Sequence, residues 1–181
     1  MTVHPRLYLD VDGCIFPFSA PDPSWGPSES ASIEVSYGAG HLVTYDVIWA
    51  PALINALDQL RAEFDLELVW VTTWNDADAA RTLIPSRLNG LFEGRALFRD
   101  VPRRIFSHAD GNWKALQILE DQAASPAPFI WVDDAEVELR GWKVLAATRG
   151  TASLMIPPHP MVGLRTDDVH AIRKWLQQHN S

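Results

Sequence analysis

The chain has 181 residues, of which 47% are hydrophobic and 21% charged, with a formal net charge of −8 and a pI near 5.1. This length predicts one domain with a sizeable core over residues 1–181. The acidic balance argues against general binding to nucleic acids or membrane surfaces. No signal-peptide pattern and no run of about 18 apolar residues occurs, so we expect no membrane span. The single cysteine, Cys14, excludes an internal disulfide and favours a reducing compartment, which we take to be the cytoplasm.

The first predicted element is a buried strand within Leu7–Gly13, where apolar residues lead up to Asp10 and Gly13 ends the strand. Side chains two residues apart in a strand lie on the same face, so Asp10 and Asp12 can converge on one point. Two carboxylates this close repel each other unless a cation or a proton lies between them. The pair therefore predicts a site for one metal ion or one reacting group.

The next segment, residues 14–50, predicts a flap or minimal cap. Prolines and serines make residues 17–32 a loop, and alternating β-formers at residues 33–37 and 41–45 surround a glycine-rich turn. This pattern predicts a β-hairpin. Because the hairpin follows the acidic strand directly, we expect it to project over the crevice at the end of that strand.

Helices then alternate with strands along the chain. In order, the patterns predict a helix from Pro51 to about Glu63, a strand over residues 66–72, a short helix capped by Asn75, a helical turn over residues 85–91, a strand over Arg95–Phe98, a helix over residues 111–123, strands over Phe129–Val132 and Lys143–Ala147, and a last helix capped by Thr166. The central strands are apolar without alternation, which is typical of strands covered on both faces. The chain therefore predicts an α/β fold of three layers, with a doubly wound, mostly parallel sheet between helices.

Three of these strands end in polar residues, at the edge where open α/β sheets bind ligands. The residues are Asp10 and Asp12, Thr72 and Thr73, and Asp133 and Asp134. A fourth candidate is Lys114, one of three lysines, in the first turn of the helix before the third acidic strand. A lysine there is unfavourable for the helix dipole, so packing, chemistry or solvent exposure must account for it.

Together these residues resemble the four motifs of the haloacid-dehalogenase (HAD) superfamily of phosphohydrolases, in the family's order. Leu7–Gly13 is similar to the first motif, a strand ending in Asp-x-Asp-Gly, and Val69–Thr72 is similar to the second. Lys114 fits the third motif and Val132–Glu138 the fourth. Neither stretch between the motifs looks like a full cap domain, so the chain resembles the capless members.

The resemblance implies a Mg²⁺-dependent phosphatase that forms an aspartyl-phosphate on Asp10. Asp12 would protonate the leaving oxygen and then deprotonate the water that clears the intermediate. Thr72, with Thr73 as the alternative, would donate a hydrogen bond to a phosphate oxygen, and Lys114 would neutralise charge on the transferring group. We favour Thr72 because it directly ends the apolar run.

The same resemblance implies one Mg²⁺ ion, for which a few carboxylates and several waters suffice as ligands. Asp10, the backbone carbonyl of Asp12, and Asp134 would hold the ion. Asp133 and Glu138 would support the metal site or orient the lysine. We favour Asp134 over Asp133 as the ligand because Asp134 stands four residues before Glu138.

The pattern leaves other functions open. A phospho-accepting signalling domain also combines aspartate, threonine, lysine and Mg²⁺ on a doubly wound sheet, although in another order. A non-catalytic binding domain of the same fold, and phosphoryl transfer to an alcohol, stay open as well. The substrate is a phosphorylated compound of undetermined class. Residues 71–75 and 158–166 resemble the HAD-like domains of RNA-repair proteins, but the acidic charge does not favour nucleic-acid ends.

Several other residues are interpreted as structural. Cys14 is a packing residue, because no histidine lies near it in sequence to activate a nucleophile. Four clustered arginines are interpreted as a solvated face: Arg95, Arg99, Arg103 and Arg104. His41 and His108 are interpreted as surface residues. For the tryptophans at strands and near the crevice, core packing is favoured over stacking on a substrate: Trp70, Trp131, Trp25, Trp49 and Trp74.

Overall fold

The computed structural model describes residues 4–37, 40–99 and 112–179. Within these ranges the strands are β1 (Arg6–Leu9), β2 (Glu29–Ser36), β3 (Leu42–Trp49), β4 (Glu67–Trp70), β5 (Arg95–Ala96), β6 (Phe129–Val132) and β7 (Ser153–Ile156). The α-helices are α1 (Pro51–Phe64), α2 (Ala79–Thr82), α3 (Ile84–Leu88), α4 (Trp113–Ala124), α5 (Glu136–Ala147) and α6 (Thr166–His179). None of these helices combines the length and the apolar character that crossing a membrane requires.

Five of the strands form one parallel sheet, in the spatial order β5-β4-β1-β6-β7. The strand that carries the first acidic motif, β1, is therefore central, with β4 on one side and β6 on the other. Central parallel strands are covered on both faces, and all four residues of β1 and of β6 are buried. The mostly parallel α/β sheet predicted from the sequence is confirmed.

Helices cover both faces of the sheet. Alternating side chains of β1 enter two different cores, because successive residues of a strand point to opposite faces. Leu7 and Leu9 pack in a cluster that includes residues of α1 and α6, such as Leu57 and Ile172. Tyr8 packs in a second cluster that includes residues of α4 and α5. The fold therefore has three layers, as expected.

The predicted hairpin is present and is longer than the pattern indicated. Strands β2 and β3 pair antiparallel over eight residues each, from Glu29 opposite Trp49 to Ser36 opposite Leu42. Its start lies within residues 17–32, which the prolines and serines had marked as a loop. Buried side chains of the hairpin join the same core as α1 and α6, so the hairpin is anchored to the sheet domain.

An ion-pair network ties the amino-terminal ends of three strands to α4. The guanidinium groups of Arg6 and Arg95 each donate to Glu67, at 3.0 Å and 2.8 Å. Arg95 also donates two hydrogen bonds to Asp121, at 2.7 Å and 2.9 Å, and the Tyr8 hydroxyl donates a third at 2.7 Å. Burial alone would raise the pKa of Asp121, but these hydrogen bonds outweigh it and hold the pKa below its usual value.

One predicted strand is wrong. Lys143–Ala147 forms the last turns of α5, and the strand that pairs with β6 is β7, ten residues further on. In α5 the buried residues are Val137, Gly141 and Val144, which have the spacing of one helix face. A short apolar run fits either a strand or a buried helix segment, so the pattern of residues 143–147 could not decide between them.

Two predicted helix caps are also displaced. Asn75 lies inside a short 3₁₀ helix over Thr73–Ala77, and the capping side chain is that of Thr72. Asn75 is buried and donates to the carbonyls of Trp70 and Leu97, which joins the end of β4 to the end of β5. Thr166 is the first residue of α6 rather than its cap.

Candidate active site

The carboxyl ends of three adjacent strands meet at one edge of the sheet. Leu9, the last residue of β1, is in register with the last residues of β4 and β6. The backbone N–H of Asp10 donates to the carbonyl of Val132, and that of Val71 donates to the carbonyl of Leu9, both at 3.0 Å. The polar residues that follow the three strands therefore meet at one edge: Asp10 and Asp12, Thr72 and Thr73, Asp133 and Asp134.

Lys114 lies between two of these carboxylates. Its Nζ donates to Asp10 Oδ2 at 2.5 Å and to Asp133 Oδ2 at 2.7 Å. All three side chains are buried, with Asp133 completely inaccessible to solvent. The lysine occupies the first turn of α4, where the helix dipole disfavours a positive charge. The two carboxylates account for its position there, because a buried ammonium requires compensating negative charge.

The three groups carry an excess of negative charge. Burial lowers the pKa of Lys114, but the attraction of Asp10 and Asp133 outweighs this effect and raises the pKa, so Lys114 stays charged. Burial raises the pKa of Asp10, and the neighbouring Asp133 adds to this increase while Lys114 opposes it. One ammonium cannot neutralise two ionised carboxylates, so a proton on Asp10 or a further cation would relieve the excess negative charge.

The two acids of the third strand end have different surroundings. Asp133 uses both carboxylate oxygens within the protein: Oδ2 accepts from Lys114, and Oδ1 accepts from the N–H groups of Ala135 and Glu136 at 3.1 Å and 2.6 Å. It thus orients the lysine and satisfies N–H groups at the start of α5. Asp134 is half-buried, and burial together with the charge of Asp133 raises the pKa of Asp134.

Asp134 and Asp10 are close enough to share a metal ion. Oxygen atoms of these two carboxylates and the Sγ of Cys14 all lie within 4.8 Å of one another. Gly13 leaves room for this approach: a Cβ at this position would lie 2.5 Å from the carboxyl carbon of Asp134, and its φ of +68° disfavours other residues. Carboxylate oxygens are the ligands that Mg²⁺ prefers, so the donor set fits this ion.

Cys14 does not fit as a ligand of Mg²⁺ or as a nucleophile. Its side chain is fully buried, and thiol sulfur is a soft ligand that suits other metals. Burial raises the pKa of the Cys14 thiol, and the nearby carboxylates add to this increase. Because only the thiolate reacts readily, the interpretation of Cys14 as a packing residue agrees with its surroundings.

Asp12 is held by a tryptophan that follows the second strand. The indole Nε1 of Trp74 donates to Asp12 Oδ2 at 3.0 Å. Asp12 itself lies in a tight turn in which the carbonyl of Val11 accepts from three successive backbone N–H groups. Burial raises the pKa of Asp12, while the indole hydrogen bond and Lys114 lower it. The sequence placed Trp74 near the crevice but did not reveal this hydrogen bond.

Thr72 is buried and Thr73 half-buried. The Thr72 hydroxyl accepts from the backbone N–H of Trp74 at 3.4 Å, a long hydrogen bond, and the residue adopts the extended backbone typical of an N-cap. Thr73 begins the 3₁₀ helix that follows. Both threonines are therefore next to the strand end that carries Asp10, and Thr72 has a structural contact in addition.

Glu138 makes no hydrogen bond or ion pair with the site among the described residues, so its expected support of the metal stays a prediction. It is exposed on α5, whereas the half-buried acid of this helix is Glu136, which accepts from Arg140 at 2.6 Å. The spacing to Glu138 was the reason for choosing Asp134 as the ligand. The reason that the structure offers is different: Asp133 is fully engaged within the protein, and Asp134 is not.

The clustered arginines do not form a shared basic patch among the described residues. Arg95 belongs to the network at the opposite edge of the sheet. Arg99 donates to Asp76 and lies over the ring of Trp113, at 5.3 Å from its centroid. Arg103, Arg104 and His108 lie outside the described residues. His41 is exposed, as expected.

The tryptophans near the crevice pack against other residues instead of presenting an open ring face to a substrate. Trp49 and Trp74 are 3% and 2% exposed, and both pack against Phe16 of the turn after β1. Trp25 is half-buried and its indole N–H donates to the carbonyl of Leu164 at 2.8 Å. The core positions of the two strand tryptophans are confirmed: Trp70 and Trp131.

Comparison with known proteins identifies the family of this chain. Residues 6–169 match the family described as the HAD domain in Swiss Army Knife RNA repair proteins. Searches of curated proteins and of solved structures found no match. The matched range includes every acid, threonine and lysine of the site, and it supports a phosphohydrolase-type activity in general. The chain therefore belongs to the HAD superfamily, among the HAD domains of Swiss Army Knife RNA repair proteins.

Proposed function

We propose that this protein is a Mg²⁺-dependent phosphohydrolase that forms an aspartyl-phosphate on Asp10. The observation that carries the proposal is the environment of the Asp10 carboxylate at the end of the central strand. One oxygen accepts from the backbone N–H of Val11 at 2.8 Å, and the other accepts from Lys114 at 2.5 Å. These bonds favour the ionised form and fix its direction, which a nucleophilic carboxylate requires.

Mg²⁺ would be held by the carboxylates of Asp10 and Asp134 and by the backbone carbonyl of Asp12. The bound ion would offset the repulsion between these carboxylates and an incoming phosphate. The proximity of the Asp10 and Asp134 oxygens supports this assignment, as does the closeness of Gly13 to Asp134. Asp133 is then left to position Lys114 and to support the ligands.

The chain's own residues account for both steps of hydrolysis. An oxygen of Asp10 attacks phosphorus, the ester P–O bond breaks, and Asp12 gives its proton to the leaving oxygen. Asp12 then takes a proton from water, which attacks phosphorus and breaks the bond to Asp10. Lys114 has three N–H donors and uses two of them on carboxylates of the described residues, which leaves a third for a phosphate oxygen. The hydroxyl of Thr72, or of Thr73, binds another.

The proposal extends to the surroundings of the site. The hairpin β2–β3 serves as a flap in place of a cap domain, because it packs beside the turn that carries Asp12. The setting is the cytoplasm, which suits a free buried thiol such as that of Cys14. The match to the HAD domain of RNA repair proteins makes phosphorylated RNA ends the first substrates to test, although the net charge of −8 does not favour nucleic acid.

The proposal is tested with Asp10→Asn and with a matched control, Asp167→Asn, which changes an exposed aspartate on α6. Both variants and the wild type are assayed on p-nitrophenyl phosphate with Mg²⁺ and with EDTA, and the enzyme is acid-quenched to trap phosphoprotein. We expect Mg²⁺-dependent turnover and a trapped phosphate in the wild type and the control. We expect neither in Asp10→Asn, at unchanged circular dichroism. Turnover by Asp10→Asn at the wild-type rate would refute the assignment.

A panel of substrates then separates the remaining alternatives. It contains sugar phosphates, nucleotides, phosphopeptides and oligonucleotides with 3′- or 5′-phosphates, each assayed with and without an added alcohol acceptor. Release of inorganic phosphate supports hydrolysis, whereas transfer to the alcohol supports a phosphotransferase. A phosphoprotein that persists for hours would indicate a signalling domain. Failure on every class with pure folded protein would favour a binding domain.

A further inference from the structure

The indole of Trp74 is placed to orient the carboxylate of Asp12. Its Nε1 donates to Oδ2 at 3.0 Å, and Oδ1 has no hydrogen-bond partner within residues 4–37, 40–99 and 112–179. An indole N–H only donates and does not exchange its proton in catalysis. It can therefore hold one oxygen of the carboxylate without competing for the proton on the other.

The indole is itself held by aromatic neighbours. The ring of Tyr45, on strand β3 of the hairpin, lies 4.8 Å from that of Trp74, and the ring of Phe16 lies 5.9 Å away. Trp74 is 2% exposed, so its ring has little freedom to turn. Its backbone N–H donates a long hydrogen bond to the Thr72 hydroxyl, at 3.4 Å. The orientation of Asp12 thus depends on contacts from the hairpin as well as from the sheet.

We propose that Trp74 is a positioning residue that aims Asp12 at the leaving oxygen, and that the hairpin acts on proton transfer through Tyr45 and Trp74. This inference rests on the proposed function, since it assigns a task to Asp12 in hydrolysis. It goes beyond the four motifs, because Trp74 lies after the second motif and Tyr45 lies in the hairpin. The hairpin then contributes to the chemical step as well as covering the crevice.

The chain offers a matched control for the indole. Trp49 is another tryptophan of the same aromatic cluster, with its ring 6.2 Å from that of Phe16, and it is 3% exposed. Its Nε1 is buried and has no hydrogen-bond partner among the described residues. Trp49→Phe and Trp74→Phe therefore remove the same group from similar surroundings, but only Trp74→Phe removes a hydrogen bond to Asp12.

The two variants are compared on a series of substituted phenyl phosphates of similar size. p-Nitrophenolate leaves as a stable anion and needs little help from an acid, whereas phenolate is more basic and gains more from a proton. General acid catalysis contributes about 10²- to 10⁴-fold to such reactions, and misdirecting the acid should remove part of it. We expect Trp74→Phe to slow phenyl phosphate turnover by about tenfold or more, and p-nitrophenyl phosphate turnover by less than about threefold.

The outcomes distinguish the inference from a structural role. We expect Trp49→Phe to change both rates by one common factor, and Tyr45→Leu to show a weaker form of the discrimination seen in Trp74→Phe. If Trp74→Phe lowered the turnover rate equally for all leaving groups, or if Trp49→Phe also slowed phenyl phosphate more than p-nitrophenyl phosphate, the inference would be overturned and the proposed function would stand. A wild type that hydrolyses no member of the series would overturn the proposed function. If Trp74→Phe does not fold, Tyr45→Leu decides, because it keeps the indole and removes its support.

Discussion

Asparagine has nearly the shape of aspartate but lacks its charge, so it separates the roles of the neighbouring acids Asp133 and Asp134. Asp133 is fully buried and accepts three hydrogen bonds, from Lys114, Ala135 and Glu136. An amide cannot accept on both sides, so its NH₂ group must face either the ammonium or the two backbone N–H groups. Asp133→Asn therefore loses acceptor contacts and creates a donor–donor contact in the core.

The size of this loss follows from the bonds concerned. A hydrogen bond to a charged group contributes about 1.5–3 kcal/mol, and leaving a buried charge without its partner costs about 3–5 kcal/mol. Lys114 keeps Asp10 as a partner, which reduces the second cost. We expect Asp133→Asn to lower the free energy of unfolding by about 3 kcal/mol.

Asp134→Asn should behave in the opposite way. Burial and the charge of Asp133 raise the pKa of Asp134, so its ionised form is disfavoured in the folded protein. A neutral side chain relieves this repulsion. Without Mg²⁺ we expect the free energy of unfolding of Asp134→Asn to stay within about 0.5 kcal/mol of the wild type or to rise. The variant should lose the stabilisation that Mg²⁺ supplies to the wild type.

Urea unfolding in EDTA and in Mg²⁺ measures both effects. At a Mg²⁺ concentration about 100 times the Kd, ligand binding should stabilise the wild type by about 2.7 kcal/mol and Asp134→Asn by nearly nothing. Asp167→Asn serves as the control for loss of a surface charge. If Asp133→Asn and Asp134→Asn destabilised the protein equally in EDTA, the proposed division into a structural Asp133 and a metal-binding Asp134 would be refuted. If Asp134→Asn were the more destabilising of the two, the two roles would have to be exchanged.

Three further substitutions test the charge of Lys114, the close approach of Gly13 to Asp134, and the ion-pair network of Asp121 at the opposite edge of the sheet. Lys114→Met should abolish turnover yet tighten Mg²⁺ binding measured by calorimetry, because it removes a positive charge beside the metal ligands; weaker binding would contradict this. Gly13→Ala should cost about 1–2 kcal/mol in unfolding free energy and weaken Mg²⁺ binding, since its Cβ would press on Asp134 at a φ of +68°. Asp121 has a lowered pKa in the folded state, so its stabilisation is present above its unfolded pKa of about 3.9 and is lost as the pH falls towards the folded pKa. Asp121→Asn should therefore lower the unfolding free energy by about 2 kcal/mol at pH 7 and by progressively less as the pH falls below the unfolded pKa, and a cost that does not change with pH over this range would count against this account.

The order of the elements was predictable because hydrophobic patterning acts locally. The apolar runs that contain β1, β4 and β6 are strands in the structure, and their lack of alternation matches burial on both faces. Hydrophobic patterning gave the wrong element where a strand and a buried helix segment share the same short apolar run. The apolar residues of Lys143–Ala147 fit a strand by composition, but they continue a helix whose buried face faces Met155 of β7.

The candidate site was predictable at the level of strand ends. Parallel strands carry their following residues to one edge, so the positions of Asp10, Thr72 and Asp133 could be brought together from sequence alone. The pairing of Lys114 with two carboxylates was not predictable in this detail. It depends on where α4 crosses the sheet, and only the packed structure decides that distance.

The amino-acid sequence by itself determined the α/β class, the central acidic strand and the chemical types of the groups at its end. Tertiary structure alone decided the surroundings of Asp133 and Asp134, because the environment of a side chain depends on residues distant in sequence. Asp133 accepts hydrogen bonds from Lys114 and from backbone N–H groups at the start of α5, whereas Asp134 lies against Gly13 and near Asp10. The indole of Trp74 reached Asp12 in the same way, across 62 positions of the chain. Residue type and spacing set the reactive groups; packing set their directions, their burial and their pKa values.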